Sequence, residues 1–196
     1  VDVLNIGEIS TDMLYFAVVN YRTDGGIVIS ASHNPASYNG MKLVREKAIP
    51  ISGDSGILQI RDEALNLTGA RRLWAKKRGC VRHLDVMADY LKHLCTFVDV
   101  RLLNQTKKLV LNANCGIAGR VAERLLADTP IQIVEKLFCQ PDGTFKGIPE
   151  GRPDPLRPEN RTLTRDAVKK NAADFATAWD ADADRCFFFD ENGEFV

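Results

Sequence analysis

The sequence predicts an α/β protein of two α/β/α-type domains with mixed, mostly parallel sheets, the first domain incomplete. Short β-branched or apolar runs alternate with stretches of helical spacing along all 196 residues, the pattern of strands joined by crossover helices. A composition that is 45% apolar is enough to bury the core of one large or two small domains. An acidic loop directly follows an apolar strand, and open α/β sheets place their ligands at the carboxyl ends of strands.

Taken in order, Val1 to Ile6 reads as a short strand. Ser10 or Thr11 can cap a helix reaching Asn20 with Leu14, Ala17 and Val18 on its apolar side. Gly25 and Gly26 punctuate the chain before a β-branched run from Ile27 to Ser30. A polar loop, a strand near Met41 to Val44 and a helix from about Ser55 to Leu67 follow. From Thr68 to Arg82 the chain turns basic and irregular, with Gly69, Arg71, Arg72, Lys76, Lys77, Arg78 and Gly79. A solvated linker reads this way, and the expected boundary separates 1–75 from 76–196.

Beyond it, Leu84, Met87, Leu91, Leu94, Cys95 and Val98 recur at helical spacing as a core stripe, with His83 and His93 assigned to the same helix. Leu109 to Leu111 reads as a buried strand, Ile117, Val121 and Leu125 as one helix face, and Ile131 to Val134 as a strand after Pro130. A loop rich in proline and glycine leads to a helix from Leu163 to Asn171 and a strand from Asp174 to Trp179. After the acidic loop come a strand from Cys186 to Phe189 and a turn at Asn192-Gly193. No internal repeat is visible in the sequence.

Charge and cysteines exclude several function classes. The 26 basic and 26 acidic residues cancel, so no net field draws the chain to nucleic acid or an anionic membrane. Cys80, Cys95, Cys115, Cys139 and Cys186 are odd in number and never spaced C-x-x-C, which argues against a disulfide framework and a zinc site and for a reducing cytoplasm. No apolar stretch suits a bilayer span, and no signal peptide opens the chain, which starts at Val1 and is expected to be a piece of a longer protein.

Two segments carry chemistry. In Asp180-Ala181-Asp182-Ala183-Asp184-Arg185, carboxylates at every second position can converge where the loop curls. Such oxygens suit a hard divalent cation, and Arg185 can hold a phosphate or neutralise a carboxylate. Read alone, the run is equally an acidic turn at a strand end. In Ser30-Ala31-Ser32-His33-Asn34-Pro35, Ser32 stands where a nucleophile can be presented, although a serine hydroxyl is weak without a base, a metal or a phosphoryl group. Asn34-Pro35 and Asn39-Gly40 are ordinary turn signals.

Together these segments resemble the α-D-phosphohexomutase family, above all its bacterial phosphomannomutases that share activity with phosphoglucomutases. The family's phosphoserine loop, T/S-A-S-H-N-P followed by Y-N-G-x-K, is matched by Ser30 to Pro35 and Tyr38 to Lys42. Its metal loop, D-G-D-x-D-R, is matched by Asp180 to Arg185 with Ala181 in place of the glycine. Asp24 to Ile27, Lys42 to Glu46, Pro50 to Asp54, Pro141 to Phe145 and Pro155 to Asn160 extend the likeness over nearly the whole chain.

The resemblance implies interconversion of hexose 6-phosphate and hexose 1-phosphate, with mannose and glucose as candidate sugars and hexose 1,6-bisphosphate as activator and intermediate. It makes Ser32 the phosphoryl carrier and Lys42 the candidate for proton-transfer help or a fixed positive charge. One Mg2+ is expected on Asp180, Asp182, Asp184 and the Ser32 phosphate, with His33, Asn34 and Arg185 on phosphate or substrate. The partner is a small phosphosugar, with neither nucleic acid nor membrane.

Family members resemble four-domain proteins, so domains III and IV or another chain are expected to be needed for activity. Two departures stand out. Alanine at 181 is expected to strain the loop if the family glycine uses positive φ, and Asp154 stands where many relatives have asparagine. A catalytically weak remnant that binds metal or phosphosugar, or an interaction module, is the alternative. A phosphatase using an aspartate nucleophile would leave the serine loop unexplained.

Overall fold

A computed structural model describes residues 1–67, 77–99 and 102–196. In chain order the elements are β1 (Val3–Asn5), α1 (Thr11–Asn20), β2 (Gly25–Ile29), β3 (Met41–Arg45), α2 (Ile57–Leu67), β4 (Val81–His83), α3 (Met87–Leu94), β5 (Lys107–Asn112), α4 (Ala118–Leu126), β6 (Ile131–Leu137), α5 (Thr162–Asn171), β7 (Phe175–Trp179) and β8 (Cys186–Phe189). The α/β reading, with mixed and mostly parallel sheets, is what the chain adopts.

The second half is one four-stranded sheet in the order β6-β5-β7-β8, parallel except for the last strand. Its alternation follows from the pleat, which sends successive side chains to opposite faces. Val110, Ala176, Ala178 and Phe189 pack under Ala167 and Val168 of α5. Leu109, Leu111, Phe175 and Trp179 turn the other way, toward Ala118 and Ala122 of α4. The small alanines of β7 let α5 lie close to the sheet, and Phe189 fills the remaining space at 1% exposure.

The first half is divided. β1 pairs parallel with β4, and β2 pairs antiparallel with β3, as two separate two-stranded sheets. Helix α1 links them by burying two stripes. Met13 and Ala17 meet Val86, Met87 and Tyr90, while Leu14 and Val18 meet Val28 and Val44. Gly26 permits that second contact, because a Cβ there would lie 2.7 Å from the Val18 side chain and 2.8 Å from Leu14.

Several expectations change. A strand, β4, emerges at the end of the basic stretch and carries His83, which is therefore not on a helix. β4 pairs with β1 although it lies beyond the boundary expected at residue 75; residues 68–76, where that boundary falls, are outside the described residues. The core stripe of α3 ends early. Thr96 donates its hydroxyl to the His93 carbonyl at 2.7 Å and the Phe97 amide donates to Leu94, closing the helix and leaving Cys95, Phe97 and Val98 exposed. His93 stacks on Phe16 with ring centroids 5.0 Å apart.

The halves also share a path that their sequences hide. β1-α1-β2-loop-β3 runs strand, helix, strand, loop, antiparallel strand, as β6-α5-β7-loop-β8 does. The serine loop and the acidic loop are the corresponding loops.

Candidate active site

The acidic loop is set by the end of β7. Asp180 is completely buried and Asp182 is 7% exposed. The Asp180 amide donates to the Arg185 carbonyl and the Ala183 amide to the Asp180 carbonyl, so the loop closes on itself. Its positive φ falls on Ala183, at 59°, and not on Ala181, so the strain expected at 181 is absent; the loop turns one residue pair later. The closeness of the neighbouring loop is what demands a glycine. A Cβ on Gly116 would stand 2.3 Å from the Ala181 carbonyl oxygen. Asn114, buried beside it, donates its amide to the Trp179 carbonyl at 2.6 Å and holds the strand end in place.

One oxygen from each of Asp180, Asp182 and Asp184 lies within 4.8 Å of the others. The Lys42 ammonium from β3 sits on this cluster, 2.7 Å from Asp182 Oδ2 and 2.7 Å from Asp184 Oδ2. A cation is thus already drawn to the place. The donors are hard carboxylate oxygens with water and phosphate able to complete the set, which fits Mg2+.

The charges perturb one another in opposite directions. Burial, then the nearby Asp182 carboxylate, pushes the Asp180 carboxyl up to about 6 despite Arg185. Burial also works to raise Asp184, but the hydrogen bond and charge of Lys42 outweigh it and hold that carboxyl low. Burial disfavours the Lys42 ammonium, yet Asp182 and Asp184 more than compensate and raise it. As arranged here Lys42 is a fixed positive charge, and proton-transfer help from it requires its release from the carboxylates.

The serine loop reaches this cluster from the other half. Ser32 occupies left-handed backbone, φ 55°, a conformation that costs a non-glycine residue about 1 kcal/mol and is kept where surroundings hold it. Those surroundings are named: its amide donates to Ser30 Oγ at 2.9 Å, and its Oγ lies 3.4 Å from Asp182 Oδ1 and 3.2 Å from His33 Nδ1. His33 also meets an Arg185 NH2 nitrogen, while Arg185 grips Asp180 Oδ2 at 2.7 Å through Nε. Asn34 points elsewhere. Its side-chain amide donates to the Ala31 carbonyl at 2.9 Å, so it shapes its own loop.

Three participants escaped the motif reading. Thr11 was read as a cap, yet its amide donates to the Asp182 carbonyl at 3.1 Å and its hydroxyl accepts from Lys42 at 3.1 Å. Ser30 reaches Asp182 Oδ2 at 3.3 Å. Asp154 stands 3.9 Å from His33 Nε2 and 3.9 Å from Arg185 NH1. Ser30 opens the serine motif itself and Asp154 stands out as a departure from the family pattern, whereas Thr11 carries no local signal of this role.

A cleft of about 710 Å³ opens beside these groups, lined among others by Ser32, Tyr38, Asp182, Gly116 and Asp142, within the range of small-molecule sites. Cys115, also on its wall, is buried, and burial raises its thiol.

Comparison with known proteins gives a consistent family. Residues 1–68 match phosphoglucomutase/phosphomannomutase alpha/beta/alpha domain I, and residues 88–193 match alpha/beta/alpha domain II. A protein of Xanthomonas campestris pv. campestris named for phosphohexose mutases is 45% identical over 196 residues, covering 100% of this chain and 42% of its own length. A phosphomannomutase of Escherichia coli K12 is 43% identical over 201 residues, with 100% and 43% covered. The crystal structure of a phosphoglucomutase/phosphomannomutase family protein from Burkholderia thailandensis superposes with TM-score 0.81 at 31% identity, covering 100% of this chain and 42% of that one. The chain therefore spans less than half the length of these relatives.

Proposed function

The chain belongs to the phosphoglucomutase/phosphomannomutase family, and from that membership we propose that its protein interconverts hexose 6-phosphates and hexose 1-phosphates, with mannose as first sugar and glucose as second. One observation carries the proposal: Ser32 Oγ, from the first half, lies 3.4 Å from Asp182 of the acidic cluster in the second. Phosphorylated, Ser32 would bring nearly two negative charges to that point. Asp180, Asp182, Asp184 and the serine phosphate would hold one Mg2+, which when bound neutralises charge on the transferring group.

In the forward step the bond from phosphorus to Ser32 Oγ breaks as a bond to the free sugar hydroxyl forms. The proton given up by that hydroxyl ends on Oγ, and the product is a hexose 1,6-bisphosphate. After the bisphosphate turns over, its other phosphate returns to Ser32 and the isomeric monophosphate leaves. Arg185 and the ammonium of Lys42 supply positive charge at the edge of this path. Among the described residues no helix is long and apolar enough to cross a membrane.

The test uses glucose 1,6-bisphosphate and Mg2+ with mass spectrometry of the tryptic peptide holding Ser32, followed by a coupled assay on mannose 1-phosphate. Phosphate on Ser32 together with turnover is expected. Absence of phosphate on Ser32 refutes the reading. Phosphosugar binding without turnover favours the alternative of a metal-binding and phosphosugar-binding module, consistent with a chain that spans 42% of its relatives; such relatives' remaining domains would then be the missing partners.

A further inference from the structure

We propose that Thr11 is a positioning residue for the acidic cluster: by anchoring the Lys42 ammonium on Asp182 Oδ2, its hydroxyl leaves Asp182 Oδ1 as the oxygen offered to a divalent cation beside Ser32. The argument starts from the donors of lysine. An ammonium has three N–H groups and no acceptor. Lys42 Nζ has three partners, Asp182 Oδ2 and Asp184 Oδ2 at 2.7 Å each and Thr11 Oγ1 at 3.1 Å. The direction of all three bonds is therefore fixed, and Thr11 accepts. It is the uncharged member of the three, so it keeps a lone pair for Lys42 whatever cation the carboxylates hold.

The two oxygens of Asp182 are treated unequally. Oδ2 faces three donors from the first half: Lys42 at 2.7 Å, the Ser30 hydroxyl at 3.3 Å and the Thr11 hydroxyl at 3.4 Å. A carboxylate oxygen has about two lone-pair sites, so Oδ2 is filled, with the ammonium as its tightest partner. Among the described residues Oδ1 has one hydrogen-bond partner, Ser32 Oγ at 3.4 Å. Thr11 itself is well fixed. It is 2% exposed at the start of α1, and its amide donates to the Asp182 carbonyl at 3.1 Å. That backbone bond survives a change of side chain, so the hydroxyl can be tested apart from the contact between the halves.

Cations differ in what they ask of a carboxylate. Mg2+ demands near-octahedral geometry at short distances, whereas Ca2+ takes more oxygens, including both oxygens of one carboxylate. With Oδ2 held by Lys42, Asp182 is a one-oxygen ligand, which favours the smaller ion. Loss of the Thr11 hydroxyl loosens that hold and lets Asp182 offer both oxygens. The inference rests on the acidic cluster binding a divalent cation, and not on Ser32 carrying phosphate.

Thr11→Val removes the hydroxyl with nearly the same shape and keeps the amide, while Thr11→Ser keeps the hydroxyl and drops a methyl. Titration calorimetry of the native chain and both variants with Mg2+ and, separately, with Ca2+ gives the ratio of the two affinities. In Thr11→Val the ratio should shift toward Ca2+ by about two- to tenfold, the size of one lost hydrogen bond, and Thr11→Ser should keep the native ratio. A role in packing alone would weaken both ions by one factor. An unchanged ratio in Thr11→Val, or a shift in Thr11→Ser as large as in Thr11→Val, overturns the proposal. Should urea unfolding show that Thr11→Val does not fold, Thr11→Ala must show the same shift, and a native ratio there overturns the proposal equally. Failure of the native chain to bind either ion overturns the proposal together with the cation site. Absence of phosphate on Ser32 beside a shifted ratio sinks the mutase reading alone.

Discussion

The two halves offer the same loop from unequal platforms. In the second half the acidic loop leaves β7, whose neighbours β5 and β8 are hydrogen-bonded on both sides, and two of its three aspartates are buried. In the first half the serine loop leaves β2, which among the described residues pairs only with β3, and Ile27 and Ile29 of β2 are 60% and 70% exposed. The two loops carry different tasks. Gathering three like charges is costly and needs a rigid, packed frame to hold them against repulsion. Ser32 is held in part by a contact that crosses from the other half, at Asp182. Neither loop is a site without its counterpart.

The largest expected effect breaks the pair at one end or the other. Ser32→Ala should abolish phosphate uptake and leave most Mg2+ affinity, because the carboxylates remain. Asp182→Asn should lose both, since Asp182 meets Ser30, Ser32, Thr11 and Lys42 at once. Phosphorylation should fall by about 10²–10³-fold or more, as when a single charge-stabilising group is removed. Titration calorimetry with Mg2+ beside timed phosphate incorporation reads both quantities. Equal Mg2+ losses in the two variants would erase the division of labour.

A second contrast concerns stability. Phe189→Ala empties a site that is 1% exposed between β8 and α5 and should cost about 3–5 kcal/mol. Ile29→Ala, on the open face of β2, should stay within about 0.5 kcal/mol. Urea unfolding midpoints at a common slope provide the comparison. Similar losses for the two would mean that β2 is as firmly packed as the four-stranded sheet.

What the sequence disclosed follows this inequality. Asp180 to Arg185 and Ser30 to Pro35 were legible because each is contiguous and its spacing carries the chemistry. The four-stranded half was legible because β5 and β7 are apolar runs of strand length, and a strand buried on both faces needs such a run. β4 was hidden, since Val81-Arg82-His83 lies exposed beside β1 and inherits the polarity of the basic stretch. Thr11 and Asp154 were hidden for another reason: their partners are 171 and about 120 positions away in the chain, a separation that only tertiary structure closes. Alanine at 181 misled because a motif fixes residue types, while the neighbouring loop decides which residue takes positive φ.

The smallest expected effect distinguishes the two platforms by pH. Asp180 belongs wholly to the second half, and burial followed by Asp182 raises its carboxyl to about 6. Asp184 is held low by Lys42, which comes from the first half. A metal must displace the proton of any carboxyl it binds, so Mg2+ affinity should be flat above pH 7 and fall by up to about tenfold per pH unit below 6. Stability of the metal-free chain should respond oppositely in the same region. The folded state keeps the Asp180 proton that the unfolded state releases near pH 4, so this group's contribution weakens the fold as pH rises from about 4 to 6. Lys42→Met extends the argument, because without the ammonium only Asp180 and Arg185 are left to oppose burial at Asp184, and its carboxyl must rise. The variant's Mg2+ affinity should then fall more steeply on the acid side, as a second proton joins the competition. Calorimetric titrations at fixed ionic strength from pH 5 to 8 measure it, and an unchanged profile in Lys42→Met would show that the first half does not set the charge of the acidic cluster.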